Sequence, residues 1–383
     1  MPKAWRDIER SMGCKNDIKQ KITHINYMGD FILTKTSTSK VSTFKIAATY
    51  IGTVVGAGFA TGQEILQFFA VFGINGFFGI IIATALFILF GYIIMSLGYK
   101  LSAKSHLEII QHCGGKVLSR GMDLLITFFL FGGLTAMLAG TGALFAQQFG
   151  LPAIAGNILM MIITAITVMT GINGVINSIS AIVPFLLVSV VGISLFSAFG
   201  GTGSAIEVAS IENSGLIRHW LWSAVLYVSY NTVVSTAVLA PLGAAAKDEK
   251  VIFRGALLGG LGLGVGMTAV FLALRNNMAA IQGLEVPLIH IAGNIARAIA
   301  IIYAIVLVAE VYTTAVGSQF GLSARLGEKL RYRRKTVIVA TSIAALFASL
   351  FGFSNLVRVL YPLVGYGGVV LLICLLWHWR RKI

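Results

Sequence analysis

Charged side chains are scarce in this sequence: Asp, Glu, Lys and Arg make up 11% of 383 residues, against 57% hydrophobic. A soluble domain carries roughly 25% charged residues because its whole surface faces water, so a water-soluble globule is excluded and a lipid-facing surface is implied. The roughly ten-residue alternating segments of a membrane barrel are also missing. Only helices and closed barrels satisfy the backbone inside lipid, and the fold class is therefore all-α, integral to a membrane. Cysteine is nearly absent. Cys14, Cys113 and Cys374 show no metal-ligand spacing, and no disulfide framework is implied. Residues 1–42 lack the short apolar core and cleavage site of a signal peptide, and they read as a cytoplasmic N-terminal arm. An intramembrane enzyme would need a paired acidic motif, a metal-ligand spacing or a Ser/His constellation; none is present, and no catalytic residues are expected.

Acidic residues number 14 against 29 Lys and Arg, a formal net charge of +15. No nucleic-acid recognition motif accompanies that charge, so a nucleic-acid partner is not expected. The basic residues are segregated instead: in the arm up to Lys45, between Lys100 and Arg120, between Lys247 and Arg254, between Arg325 and Lys335, and from Arg380 to Lys382. Basic alternate loops are the positive-inside pattern. It places both termini in the cytoplasm of a multi-pass plasma-membrane protein.

About ten apolar runs can cross a hydrocarbon core about 30 Å thick: Phe44–Phe72, Gly76–Tyr99, Met122–Phe149, Ile154–Thr170, Gly174–Phe199, Arg218–Ala245, Ile252–Arg275, Ile295–Gly321, Thr336–Phe351 and Leu356–Trp379. The even count agrees with the charge pattern, while the 171–174 connection carries no charge of its own. Two longer loops, 200–217 and 276–294, fall outside. The second contains Met278, Ile281, Leu284, Leu288 and Ile291 and is expected to form a short helix over the extracellular mouth, as a lid. With loop 200–217 as divider, five spans precede and five follow. Five is odd, so the halves enter the membrane in opposite directions. This predicts an inverted repeat, 43–199 and 218–379, within a single transmembrane domain spanning 43–383, with a solute site where the halves meet.

Three stretches can carry chemistry. The first span contains Gly52, Gly56, Gly58 and Gly62 within eleven positions, each costing about 1 kcal/mol of helix propensity. Glycines alone permit two readings, a broken helix or close helix packing. A break would expose backbone groups of Gly56, Ala57, Gly58 and Phe59 to a solute. The sixth span carries Ser229, Tyr230, Asn231 and Thr232 in succession. Consecutive polar residues point all around a helix, so local unwinding is expected there, interhelical hydrogen bonding being the alternative. The eighth span holds Glu310 in an apolar run, with no basic residue mid-span anywhere in the chain. A carboxylate at that depth costs roughly 2.5–3.5 kcal/mol and is a functional residue by default. Glu64 follows the first-span glycines nearer the outer surface, as a solvated acid at the mouth or as a gating or substrate-amine group. The many glycines of the seventh span read as packing positions.

The runs Gly52-Thr-Val-Val55-Gly56-Ala-Gly58, Ser229-Tyr-Asn-Thr232 and Glu310-Val-Tyr-Thr313-Thr314 resemble the amino acid-polyamine-organocation superfamily, whose members share the LeuT-type fold. Within it, the stretch from Ala48 to Glu64 is similar to the YkvI family of bacterial membrane proteins. The resemblance implies a five-plus-five inverted repeat with broken first and sixth helices and substrate between them. It also implies a candidate sodium site made of the Gly52 and Val55 carbonyls and the Thr313 and Thr314 hydroxyls, hard oxygen ligands that suit an alkali cation. Glu310 departs from the pattern, because a carboxylate there can carry a proton instead. No cofactor is implied beyond that sodium ion. The expected function is a sodium- or proton-coupled secondary transporter of a small amino-acid-like or organic solute; the alternative is a membrane solute sensor that keeps the site and moves nothing. The expected partners are that small-molecule solute and the lipid bilayer.

Overall fold

The computed structural model describes residues 41–103, 105–170, 183–199, 215–330 and 334–381. The N-terminal arm up to residue 40, the 171–174 connection, most of the 200–217 loop and residues 331–333 of the basic loop lie outside the described residues. The described chain is helical: α1 (Thr43–Val54), α2 (Ala57–Thr61), α3 (Gln63–Phe68), a 3-10 turn at Ala70–Phe72, α4 (Ile74–Leu101), α5 (His106–Phe149), α6 (Ala153–Met169), α7 (Val183–Phe199), α8 (Trp220–Ala244), α9 (Glu249–Asn276), α10 (Met278–Ile281), α11 (Pro287–Ile295), α12 (Arg297–Leu330), α13 (Arg334–Ser349) and α14 (Phe353–Arg381). Six of these, α4, α5, α8, α9, α12 and α14, are long and apolar enough to cross a membrane, and shorter apolar helices such as α6 and α13 lie between them. Ile81, Leu258, Ile302, Ile305, Phe347 and Ile373 are each more than half exposed, as side chains facing lipid must be. Helix α5 begins well before Met122, at His106, and turns at Gly115, where φ is 70°.

Small residues let the helices approach. A Cβ on Gly98 of α4 would overlap the Ala240 carbonyl of α8, and one on Gly243 of α8 would overlap the Met95 carbonyl of α4. Without side chains at the contact, the two backbones meet directly, as small residues allow in membranes. The seventh-span glycines act in the same way: Gly255 lies on Ile46, Gly259 on Tyr50, Gly260 on Ile88 and Gly264 on Thr84, seating α9 against α1 and α4. Tyr50 itself is buried and donates to the Phe87 carbonyl at 2.7 Å. Because Gly98 faces backbone that has no alternative rotamer, Gly98→Val is expected to cost about 1–3 kcal/mol as overpacking does. A thermal midpoint in detergent equal to that of the parent protein would refute this contact.

The first span is broken, and twice. Val55 and Gly56 are extended (Gly56 φ −122°, ψ −170°), and Gly62 is left-handed with φ 85°; the five residues of α2 lie between. Gly52 remains inside α1. The sixth span is not broken, contrary to expectation: α8 runs unbroken from Trp220 to Ala244 through Ser229, Tyr230, Asn231 and Thr232. Its polar groups find partners without unwinding. Asn231 Nδ2 donates to the Tyr227 carbonyl at 3.0 Å, Thr236 Oγ1 to the Thr232 carbonyl at 2.5 Å, and Ser229 Oγ to the Gly365 carbonyl of α14 at 2.6 Å. Back-bonding of this kind satisfies a polar side chain on a regular helix.

Candidate functional site

The double break aims the second part of the first span into the protein core. Helix α2 is buried at every residue, and Thr61 Oγ1 closes its end on the Gly58 carbonyl at 2.8 Å. Tyr303 of α12 donates its hydroxyl to the Ala60 carbonyl. On the other side, Ser223 of α8 donates to the Phe68 carbonyl at 2.5 Å, capping α3. The broken segment is therefore clamped between α8 and α12. At its start the packing opens: Gly56 has nothing within 4 Å of the place a Cβ would occupy.

Glu64 corrects the expectation of an acid near the mouth. Gly62 turns the chain so that the Glu64 side chain folds back over α2, and its exposure is 5%. Oε1 lies over Gly58, leaving no room there for a side chain, and Oε2 accepts the Tyr230 hydroxyl at 2.5 Å. The Tyr227 hydroxyl lies beside the same carboxylate without forming a well-aligned hydrogen bond. Aromatic rings complete the enclosure: Tyr361 lies 5.1 Å from Tyr230, Phe68 5.7 Å and Phe129 6.3 Å, between ring centroids.

Of the four polar residues in the sixth span, Tyr230 alone is seen to reach the broken segment by hydrogen bond; Ser229 and Asn231 bond to α14 and to α8 itself. Thr232 is buried, and its carbonyl accepts Thr236. Phe59 packs towards Gly266 of α9, and Ala57 is buried. Tyr227, Tyr303 and Tyr361 are additional residues at this centre. Tyr361, beside Pro362 inside an apolar run, is the one a reading of polar residues within spans can find.

Glu310 lies buried on α12 with 4% exposure, and among the described residues its Oε2 has no hydrogen-bond partner. Thr313 Oγ1 donates to the Glu310 carbonyl at 2.9 Å, which leaves its lone pairs for a cation, while Thr314 is half-buried. At the first break, backbone bonding passes from Val55 N on Ile51 O to Ala60 N on Gly56 O, so the carbonyls of Gly52 and Val55 receive no backbone N–H. Carbonyl, hydroxyl and carboxylate oxygens are each the kind of donor that an alkali cation takes. Among the described residues, no group of three or more His, Cys, Asp or Glu gathers to hold a metal.

The segment 277–296 folds as α10 and α11 and covers the start of α3. Gln63 Nε2 donates to the Leu284 carbonyl at 2.8 Å. Gln147 of α5 pairs with both backbone groups of Val286, at 2.9 Å and 3.1 Å, and Glu285 Oε2 accepts Phe353 N at 3.0 Å at the start of α14. A cavity of about 530 Å³ lies beside these ties, lined by Gln147, Asn157, Glu285 and Ser349 among others. Partial burial raises the Glu285 carboxyl above its ordinary value, more than its bond to Phe353 N lowers it. A raised acid stabilises the fold most when protonated, and that contribution is lost as pH rises through the raised value. Glu285→Gln keeps an acceptor without a charge, so its thermal midpoint is expected to fall less than the parent's as pH rises from the ordinary glutamate range. Parallel pH curves for the two proteins would contradict this.

No protein-family model matches the chain. It is similar to the membrane protein YkvI of Bacillus subtilis (strain 168), 33% identical over 329 residues that cover 86% of this chain and 93% of the relative. YyaD of the same organism is 28% identical over 327 residues, 85% of this chain and 94% of that one. Among solved structures it is similar to Mhp1 in an inward-facing conformation, with a TM-score of 0.60 at 15% identity over 85% of this chain and 73% of that one. It is similar also to MhsT in complex with L-phenylalanine, with a TM-score of 0.55 at 16% identity over 84% and 86% of the two chains. A substrate-bound, outward-open Na+-coupled sialic acid symporter gives a TM-score of 0.54 at 14% identity over 86% and 80%. At such identities the likeness is one of fold, and that fold is the LeuT type.

Proposed function

We propose that this chain, which belongs to the YkvI family of bacterial membrane proteins, is a cation-coupled secondary transporter of a small organic or amino-acid-like solute, working by alternating access. The observation that carries this reading is the doubly broken first span, clamped between α8 and α12 with a buried acid, Glu64, folded against it. Irregular backbone at membrane depth is tolerated only where it is buried in protein or lines a cavity. Discontinuous helices of this kind form substrate and ion sites in secondary transporters. The fold shared with MhsT, Mhp1 and the sialic acid symporter supports the same class.

The finer architecture belongs to the proposal: ten spans, repeats 43–199 and 218–379 inverted with respect to each other, and both termini cytoplasmic. The solute would sit beside Gly56, Ala57, Gly58 and Phe59, facing Tyr230. A sodium ion or a proton would be held by Glu310, Thr313 and Thr314 with the carbonyls of Gly52 and Val55. Reconstitution in liposomes tests the reading. Uptake from a solute panel is expected to follow an imposed sodium or proton gradient and to vanish when the gradient is dissipated; ligand binding without any flux would replace the transporter with a sensor.

A further inference from the structure

Glu64 is a carboxylate with neutral company. The groups at it are the hydroxyls of Tyr230 and Tyr227 on α8 and bare Gly58 on α2, with Tyr361 of α14 packed behind Tyr230. Helix α9 meets this turn through Leu274, beside Gly62. Among the described residues, no Lys, Arg or His forms an ion pair with it. An ionised carboxylate buried without a cation is strongly disfavoured, so Glu64 holds either a proton or a positive charge brought from outside. Its surroundings suit the second as well as the first. A tyrosine hydroxyl oxygen can accept from an ammonium, and those of Tyr227 and Tyr230 lie at the acid. The other oxygen, Oε1, lies directly against Gly58 of the buried helix α2, two residues along the chain from the open space at Gly56. A solute drawn in from that space would meet a negative group. A carboxylate on the solute would face like charge.

We propose that the central site takes a positively charged group of the solute, an ammonium, with Glu64 as counter-ion and the hydroxyl oxygens of Tyr227 and Tyr230 beside it, and that binding displaces a proton from Glu64. The exchange balances: one cationic group enters, the Glu64 O–H proton leaves to solvent, and no covalent bond to carbon changes. This rests on reading the first-span break as the solute site.

The test uses the full-length protein in lipid nanodiscs, with ethylammonium, tetramethylammonium and guanidinium as probes and propionate as the oppositely charged control. Thermal stabilisation and proton release into weakly buffered medium are read together. The cations are expected to stabilise the protein and propionate is not, with close to one proton released per cation bound. Glu64→Gln keeps the shape and a hydrogen-bonding amide; it is expected to abolish both responses while retaining a cooperative thermal transition without ligand. Tyr230→Phe is expected to weaken cation binding about tenfold and to keep the proton release, which preserves the test should the Gln variant not fold. Stabilisation by propionate, or a cation response undiminished in Glu64→Gln, overturns the proposal. Solute uptake that survives Glu64→Gln sinks this assignment and leaves the transporter reading standing, whereas Glu64-dependent cation binding without flux does the reverse.

Discussion

Replacing Gly62 with alanine is expected to reduce gradient-driven uptake more than tenfold in a protein that still folds. Gly62 sits at φ 85° and ψ −9°, a left-handed conformation that costs an L-residue roughly 1–2 kcal/mol. A Cβ there would also stand 3.0 Å from Leu288 of α11 and 3.4 Å from Leu274 of α9. Neither helix can yield freely, since α11 is bound through the segment that Gln63 and Gln147 hold. The strain is therefore relieved by rotating α3. That movement carries Glu64 out of register with Tyr230 and Gln63 away from the Leu284 carbonyl. Gly121→Ala is the control, because its added methyl meets nothing within 4 Å on a regular stretch of α5; it is expected to be neutral or slightly stabilising, as alanine is the better helix former. Equal uptake by the Gly62→Ala and parent proteins would show that the left-handed turn does not position the site.

The contrast between the first and sixth spans shows which parts of the site a sequence discloses. Four glycines in eleven positions leave a break and close packing equally open, and the backbone does leave the helix at Val55–Gly56 and again at Gly62. The polar run in the sixth span carries the opposite lesson. Ser229 to Thr232 point around the helix, yet three of the four find an acceptor: a carbonyl one turn back for Asn231, a carbonyl of α14 for Ser229, and Glu64 for Tyr230. Two of those acceptors come from residues distant in sequence, so the pattern of α8 alone could not reveal them. The burial of Glu64 was hidden for a related reason. Counting residues along a span assumes a straight axis, and the left-handed turn at Gly62 reverses the side chain's direction within two residues. Helix α4, by contrast, was legible over nearly its whole length, since lipid on one side and bare backbone contacts at Gly98 on the other ask only for apolar and small residues.

Glu310→Gln is expected to abolish sodium-driven accumulation of the solute while leaving its exchange across the membrane intact. Exchange needs only the solute site at the first break, whereas accumulation needs an ion to move with each cycle. On the proposed reading Glu310 binds that ion: its buried Oε2 has no hydrogen-bond partner among the described residues, and Thr313 stands one turn along the helix. Glutamine keeps the volume but binds neither a proton nor an alkali cation as a carboxylate does. Uptake at equal concentrations inside and out should then match the parent protein, and the accumulation ratio should fall to about 1 under a sodium gradient and, under a proton gradient, to what proton exchange at Glu64 alone sustains, as linkage between the bound species requires. Thr313→Val distinguishes the ions, since losing the hydroxyl removes a ligand for sodium and leaves a protonatable acid in place. Stability supplies an independent reading. An intramembrane carboxylate costs roughly 2.5–3.5 kcal/mol on insertion scales, so a Glu310→Gln protein with an equal or higher thermal midpoint but no sodium-driven accumulation would identify the acid as retained for coupling at the expense of stability. A lower midpoint together with full accumulation would instead make Glu310 a structural residue.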